Sequence, residues 1–453
     1  MNIRKAFAGR SELSPLLYTL INHLQGTQDP KAGELLSELN KALDDQQSTS
    51  EYEYLRVLQE TLDYGTRMPD RTGAGRITLP TQVARYDQSL GLPVLTTKKV
   101  KWEWALHETL MFIQGITNNT YLKDRGVPIW NPWELNADLV EEVKSPREMV
   151  FTKLCEKLGI KRTELHDYMV KTFKEEYPNN SLEQMASVFE AEVLARNGIP
   201  TTHHVTRMKA GELGPVYGAM WRSWPSVVQD RQGNLVRVEP VDQLKNLIEQ
   251  IQRTPYSRRL IVSGWNPSLL PDEGIPGMDQ ATLHQTNILN GKQVLPPCHT
   301  LFQVQLFPLS MEERKAIAKE GGHDNWAGVE AVDLEVLKHL EIPTNKIDLT
   351  LVQRSADIPI GVPFNIIGYS IILKMLAHCL NLHPGTFHHV MIDAHIYLNQ
   401  LDGVKEQLSR TPASAPPKLL INPDKRDFFE LTFDDFKLVR YDPQAGIRYN
   451  VAV

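Results

Sequence analysis

The spacing of hydrophobic positions along this chain changes period several times. Between Glu51 and Gly65 the apolar residues recur at helical spacing, and the glycine is a natural stop. Arg76–Tyr86 then reads as a strand. Lys101–Gln114 returns to a helical pattern carrying Trp102, Trp104 and Phe112. From Asn136 to about Lys209 the texture is charged, with helical patterns over Pro146–Leu158, Arg162–Phe173 and Leu182–Asn197. Loop signals break it at Pro178-Asn179-Asn180 and Gly198-Ile199-Pro200. Beyond it, Leu260–Trp265 and His299–Phe307 read as buried strands, and Ile347–Gln353 alternates like another. A second charged helical block, Met311–Leu340, lies between the last two. If those strands pair, the block replaces a short hairpin turn. Ile366–Leu382 is the most apolar helical stretch, and Gly368, Lys374 and His378 interrupt it, which marks a core helix rather than a span. Ahead of all this, Leu16, Leu17, Leu20, Ile21 and Leu24, then Leu35, Leu36, Leu39 and Leu43, form two short amphipathic patterns. A polar linker, Asp44–Ser50, follows them.

Composition narrows the class. Over 453 residues the chain is 41% apolar and 23% charged, which is globular composition. Its net charge of -6 provides no global attraction to nucleic acid or an anionic membrane, so no DNA or membrane partner is expected. An anionic substrate would need a local arginine cluster. Cys155, Cys298 and Cys379 cannot all pair, and such sparse usage fits a reducing, cytoplasmic setting. The first residues lack the apolar run of a signal segment. The adjacent pairs His203-His204 and His388-His389 lack zinc-site spacing, so no metal is expected.

The candidate chemistry begins at Pro296-Pro297-Cys298-His299. Two prolines keep the approach extended and present the thiol on stiff backbone at a strand entrance. Cys155 and Cys379, in helical patterns, read as small core residues. Arg71 lies in the glycine-rich turn Asp70–Gly75, Arg258-Arg259 follow Thr254–Ser257, and Arg354 precedes Ser355. Several guanidinium groups together can fork onto a phosphate dianion and favour a thiolate. Asn365, in Gly361-Val362-Pro363-Phe364-Asn365, offers one donor and one acceptor, which matches a uracil edge; an aspartate would suit cytosine. His395 and Tyr397 share one face of an extended segment, suited to a hydroxyl.

With these segments in hand, the chain resembles the thymidylate synthase family over most of its length. The matching pieces run in family order. They are Asp70–Gly73, Leu95–Lys99, His107-Glu108, Ile129–Trp133, Leu213–Gly218, Ser257–Arg259, Trp265-Asn266, Pro297–His299, Gln353–Ser355, Gly361–Asn365, Asp393–Tyr397 and the tail from Tyr441 to Val453. The resemblance implies an α/β (α+β) fold, a large mixed sheet with packed helices. The catalytic domain would cover residues 51–453, with helical insertions near 136–210 and 308–345 and a helical extension over residues 1–50. It implies one-carbon transfer in nucleotide biosynthesis, from 5,10-methylenetetrahydrofolate to carbon 5 of dUMP. Cys298 would add to carbon 6, with His299 beside it. Glu108 and Tyr217 would organise the proton transfers. Arg71, Arg258, Arg259, Arg354 and Ser355 would hold phosphate, the paired arginines reaching across a homodimer. Asn365 would read the pyrimidine, and His395 and Tyr397 the deoxyribose. Trp130, Trp133, Asp357, Phe364 and Val453 would line the folate side.

Three departures bear on the product. Ile392 stands where the family usually has glycine, Ile367-Gly368 where alanine-serine is common, and Asn131-Pro132 where an acidic pair lies between the tryptophans. Hydride delivery would give dTMP. Water would give hydroxymethyl-dUMP, as in a viral (phage) deoxyuridylate hydroxymethylase working in the host cytoplasm. A third reading, a silent nucleotide- or RNA-binding scaffold, conflicts with retention of the whole candidate catalytic set.

Overall fold

The structure is a computed structural model that describes residues 49–70, 73–181, 190–200, 202–226, 228–229, 235–237, 239–320 and 334–449. The N-terminal amphipathic patterns, Arg71, Val453, residues 182–189 of the pattern read over Leu182–Asn197 and residues 321–333 of the second charged block lie outside them. The described chain falls into two compact units, one of them Glu134–Glu212.

The larger unit is built on a seven-stranded mixed sheet. Its strands are β1 (Thr66–Met68), β2 (Arg76–Asp87), β5 (Ile261–Ser263), β6 (His299–Pro308), β7 (Asn345–Gln353), β8 (Ala356–Asp357) and β9 (His383–Tyr397). The order is β1-β2-β9-β7-β6-β5, with β8 beside β9. The β9–β7 and β8–β9 pairs are parallel and the rest antiparallel. One face is covered. There, α10 (Gly361–Cys379) packs with α2 (Trp102–Ile113) over β9 and β7. By length and composition α10 could cross a membrane, but its residues from Val362 to Ala377 are largely buried in the core. Pro363 is tolerated because it falls in the first turn, where the missing N–H has no intrahelical partner.

Among the described residues of this unit the other face is open. Thr81 and Val83 of β2 stand opposite Ile392 and Val390 of β9, and Val390 lies beside Val352 of β7. At the far side, Ile261 pairs with Gln303, and Ile392, Ile261 and Phe307 are all exposed. The β6–β7 ladder runs to Pro308 opposite Asn345. The charged block between them holds α8 (Met311–Glu320) and α9 (Leu334–His339) over a small core of Ala318, Leu337 and Ile342.

The smaller unit contains α3 (Arg147–Leu158) and α4 (Leu165–Glu176), packed around Phe151, Leu154, Cys155, Phe173 and Leu194. It also holds two strands, β3 (Leu139–Lys144) and β4 (Thr202–Met208), paired antiparallel. The helical reading of this segment missed them. Each is short, with Val140 and Val143 on one and Val205 and Thr206 on the other, so the β-branched signal is only a few residues long.

Glu51 begins α1 (Glu51–Tyr64) and is almost fully buried. Its carboxylate accepts from the backbone N–H and hydroxyl of both Thr96 and Thr97, at 2.6–2.9 Å. Glu51→Ala would orphan four buried donors, so we expect a loss of about 3 kcal/mol or more, with Glu51→Gln intermediate, read from urea unfolding midpoints.

Candidate active site

Cys298 sits at the turn into β6, half-buried. Its own N–H donates to the Tyr217 hydroxyl at 2.9 Å. Its carbonyl accepts from the Arg354 backbone N–H, also at 2.9 Å. The Arg354 side chain donates through Nε to Pro297 O at 3.0 Å and through Nη2 to Pro296 O at 2.9 Å, with Nη2 4.0 Å from Sγ. Two of the three carbonyls that face this guanidinium and backbone belong to prolines, which have no N–H of their own to tie the loop down. Burial pushes the Cys298 thiol above its ordinary value, and the Arg354 charge opposes that shift. The Trp265 ring lies 5.5 Å from the same guanidinium.

Tyr217 opens the short helix α5 (Tyr217–Arg222) and packs on Phe112, Trp130 and the His299 ring. Glu108 on α2 accepts from Trp130 Nε1 at 2.7 Å, and Trp133 meets Trp130 edge to face at 5.9 Å. Burial raises the Glu108 carboxyl to about 7, against the Trp130 hydrogen bond. A group of that kind exchanges a proton near neutral pH. Burial also lowers His299 to about 4, partly offset by its hydrogen bond with Asn365, so the ring is neutral.

Asn365 lies on the first turns of α10. A methyl group added at Gly361 would sit 3.9 Å from both Asn365 Oδ1 and Asp357 Cβ, which places the three together. Asp357 pairs in register with His395 on β9, and burial raises its carboxyl above the ordinary value. His395 Nδ1 lies 2.7 Å from the Asp393 carbonyl; a carbonyl only accepts, so this nitrogen carries the proton and a neutral ring leaves Nε2 as an acceptor. Tyr397 stands edge-on to His395 at 5.2 Å. Ser355 follows Arg354 in the bend before β8, and Phe364 is half-buried beside Asn365 in the sequence.

Cys298, His299, Tyr217, Glu108, Trp130, Trp133, Arg354, Asn365 and, through Gly361, Asp357 and His395 thus form one connected set. Arg258 and Arg259 do not join it within the chain. They are exposed just before β5, whose Ile261 pairs with Gln303, five positions along β6 from Cys298, roughly 17 Å by strand rise. Arg71 and Val453 fall outside the described residues.

A comparison with protein families matches residues 52–453 to thymidylate synthase. The chain belongs to the thymidylate synthase family. Members of this family transfer a one-carbon unit to dUMP, and the chain is accordingly a transferase of nucleotide biosynthesis. Lys98, within one of the family-like segments, carries more than sequence reading assigned to it. Its Nζ donates to Pro359 O and lies 4.5 Å from the Tyr449 ring, and burial lowers it to about 7. The lysine-rich segment Thr97-Lys98-Lys99 gives no sign of which lysine is inside.

Because Glu108 ionises near pH 7, the Trp130 indole should report it. We expect tryptophan emission to shift with a midpoint near pH 7, the carboxyl protonated below and ionised above. The transition should vanish in Glu108→Gln and in Trp130→Phe.

Proposed function

We propose that this chain methylates dUMP reductively, giving dTMP, with Cys298 as nucleophile and 5,10-methylenetetrahydrofolate as one-carbon donor. The observation that carries this reading is the Arg354 fork, which holds the loop of Cys298 with its charge beside Sγ. The thiolate forms a bond to carbon 6 of the uracil, and the electron pair moves onto the carbon 4 oxygen, making carbon 5 nucleophilic. Asn365, linked to His299, holds the carbonyl-and-imide edge of the ring. We assign the phosphate to the Nη1 edge of Arg354, which is not used on the prolines, and to Ser355, the family resemblance adding Arg71 to that set. His395 accepts from the deoxyribose hydroxyl beside Tyr397. Glu108 and Tyr217 move protons at carbon 5, and loss of the carbon 6 bond returns the thiolate.

The folate fits this surface. The Trp130 and Trp133 rings and Phe364 offer stacking area, and Asp357 offers a buried carboxyl beside Lys98, a donor–acceptor set suited to a pterin. When bound, the folate supplies the methylene and, in the reductive outcome, the hydride. The chain's part is to exclude water, for which Trp130, buried against Phe112, is placed.

A homodimer completes the site in this reading. The open sheet face offers Val83, Val352, Val390 and Ile392 for burial against a second copy, and Arg258 and Arg259 stand at its β5 edge.

Mass analysis of nucleotide and folate products is the direct test. Thymidylate with dihydrofolate is expected; hydroxymethyl-dUMP with tetrahydrofolate would assign the alternative product, and absence of turnover would refute the reading. Mixing inactive Cys298→Ala chains with inactive Arg258→Ala/Arg259→Ala chains should restore about one quarter of wild-type activity, since half of the random dimers then hold one intact composite site. No recovery would place those arginines outside a shared site.

A further inference from the structure

Behind the cysteine loop, on the covered face of the sheet, lies a histidine that the proposed reaction does not use. His389 of β9 is fully buried and stacks on Phe387 at 5.4 Å. Its Nε2 is 2.8 Å from Gln353 Oε1. The other end of that amide, Nε2, donates to the Ser355 carbonyl at 2.9 Å. The second contact fixes the first. A nitrogen facing a carbonyl must be the amide NH2, so Oε1 is the acceptor and His389 must present Nε2–H.

The protonation state follows from the surroundings. His389 Nδ1 is buried with no hydrogen-bond partner. A second N–H there would have nothing to receive it, and burial, with His299 nearby, lowers this histidine to about 3. A neutral ring in one tautomer therefore orients one amide. The amide in turn holds the carbonyl of residue 355, in the bend that carries both Arg354 and Ser355. Gln353 also pairs in register with His299, directly behind Cys298.

We propose that His389 is a positioning residue for the substrate-phosphate bend: through Gln353 it holds Ser355, and with it Arg354, in the orientation that meets the phosphate. This rests on the reading of Arg354 and Ser355 as phosphate ligands. Without the His389 donor, Gln353 Oε1 is left buried and unpaired, and a flipped amide would set two carbonyl oxygens against each other. Glutamine at position 389 could still present an N–H at about the reach of Nε2, whereas leucine could not.

The test compares wild type with His389→Leu, His389→Gln and Gln353→Leu. We expect His389→Leu to weaken dUMP binding by calorimetry and to raise KM for dUMP roughly tenfold, with kcat within about threefold. Competitive inhibition by inorganic phosphate should weaken in parallel, and His389→Gln should recover most of the loss. Gln353→Leu breaks the same chain one link later and should show the same signature, which keeps the test decisive if His389→Leu does not fold. A fall in kcat and melting temperature with unchanged dUMP affinity would mean a purely structural role and overturn the proposal. So would failure of glutamine to rescue a folded leucine variant. Wild-type turnover of dUMP tests the proposed reaction separately, because the comparison between variants reads affinity alone.

Discussion

Three hydrogen bonds from one arginine fix the reactive end of this chain. Arg354 meets the carbonyls of Pro296, Pro297 and Cys298 with its side chain and its own N–H. The two adjacent prolines offer carbonyls as their only backbone handles, so something outside the loop must supply donors. Here the donor is also a permanent cation. The same group therefore sets where the sulfur sits and works against the burial that favours the neutral thiol. Tyr217 takes the one remaining backbone donor, that of Cys298, and the thiol is left with little freedom.

Burial then sets the chemistry of the surrounding groups. Glu108 is raised and Lys98 is lowered, each to about 7, while His299 is lowered to about 4. All three shifts have desolvation as their largest cause, which penalises whichever form carries charge. A carboxyl and an ammonium are thereby brought near neutrality from opposite directions. The histidine beside the cysteine is removed from acid–base competition and serves as a fixed hydrogen-bonding group next to Asn365.

Much of this was legible in the sequence. The periods over Glu51–Gly65, Lys101–Gln114, His299–Phe307 and Ile347–Gln353 correspond to observed elements within a residue or two at most ends, because each buries one face and the pattern follows burial. The ordered motifs around Cys298, Arg354 and Asn365 lie in one connected set because the start of β6, the end of β7 and the first two turns of α10 come to the same end of the sheet. What stayed hidden depends on partners far apart in sequence. Nothing in Arg354 as a letter says that it binds prolines 57 and 58 positions away. Burial of Lys98 beside Tyr449, and the orientation of Gln353 by His389, are likewise products of packing. Arg258 and Arg259 look equivalent to Arg354 in sequence, yet stand at a solvent edge of the chain.

The two segments read from the sequence as insertions share one geometry at their ends. Pro308 and Asn345 are ladder partners, and Leu135 is bonded to Glu212 and Gly211 across the base of the smaller unit. Chain leaves and re-enters at points already tied together. The entropy of closing such a loop grows only with the logarithm of its length, so a long addition there is tolerated almost as readily as a short one. Length variation can thus accumulate without shifting the register that carries Cys298, and the fold can diversify at its margins while its reactive end stays in place.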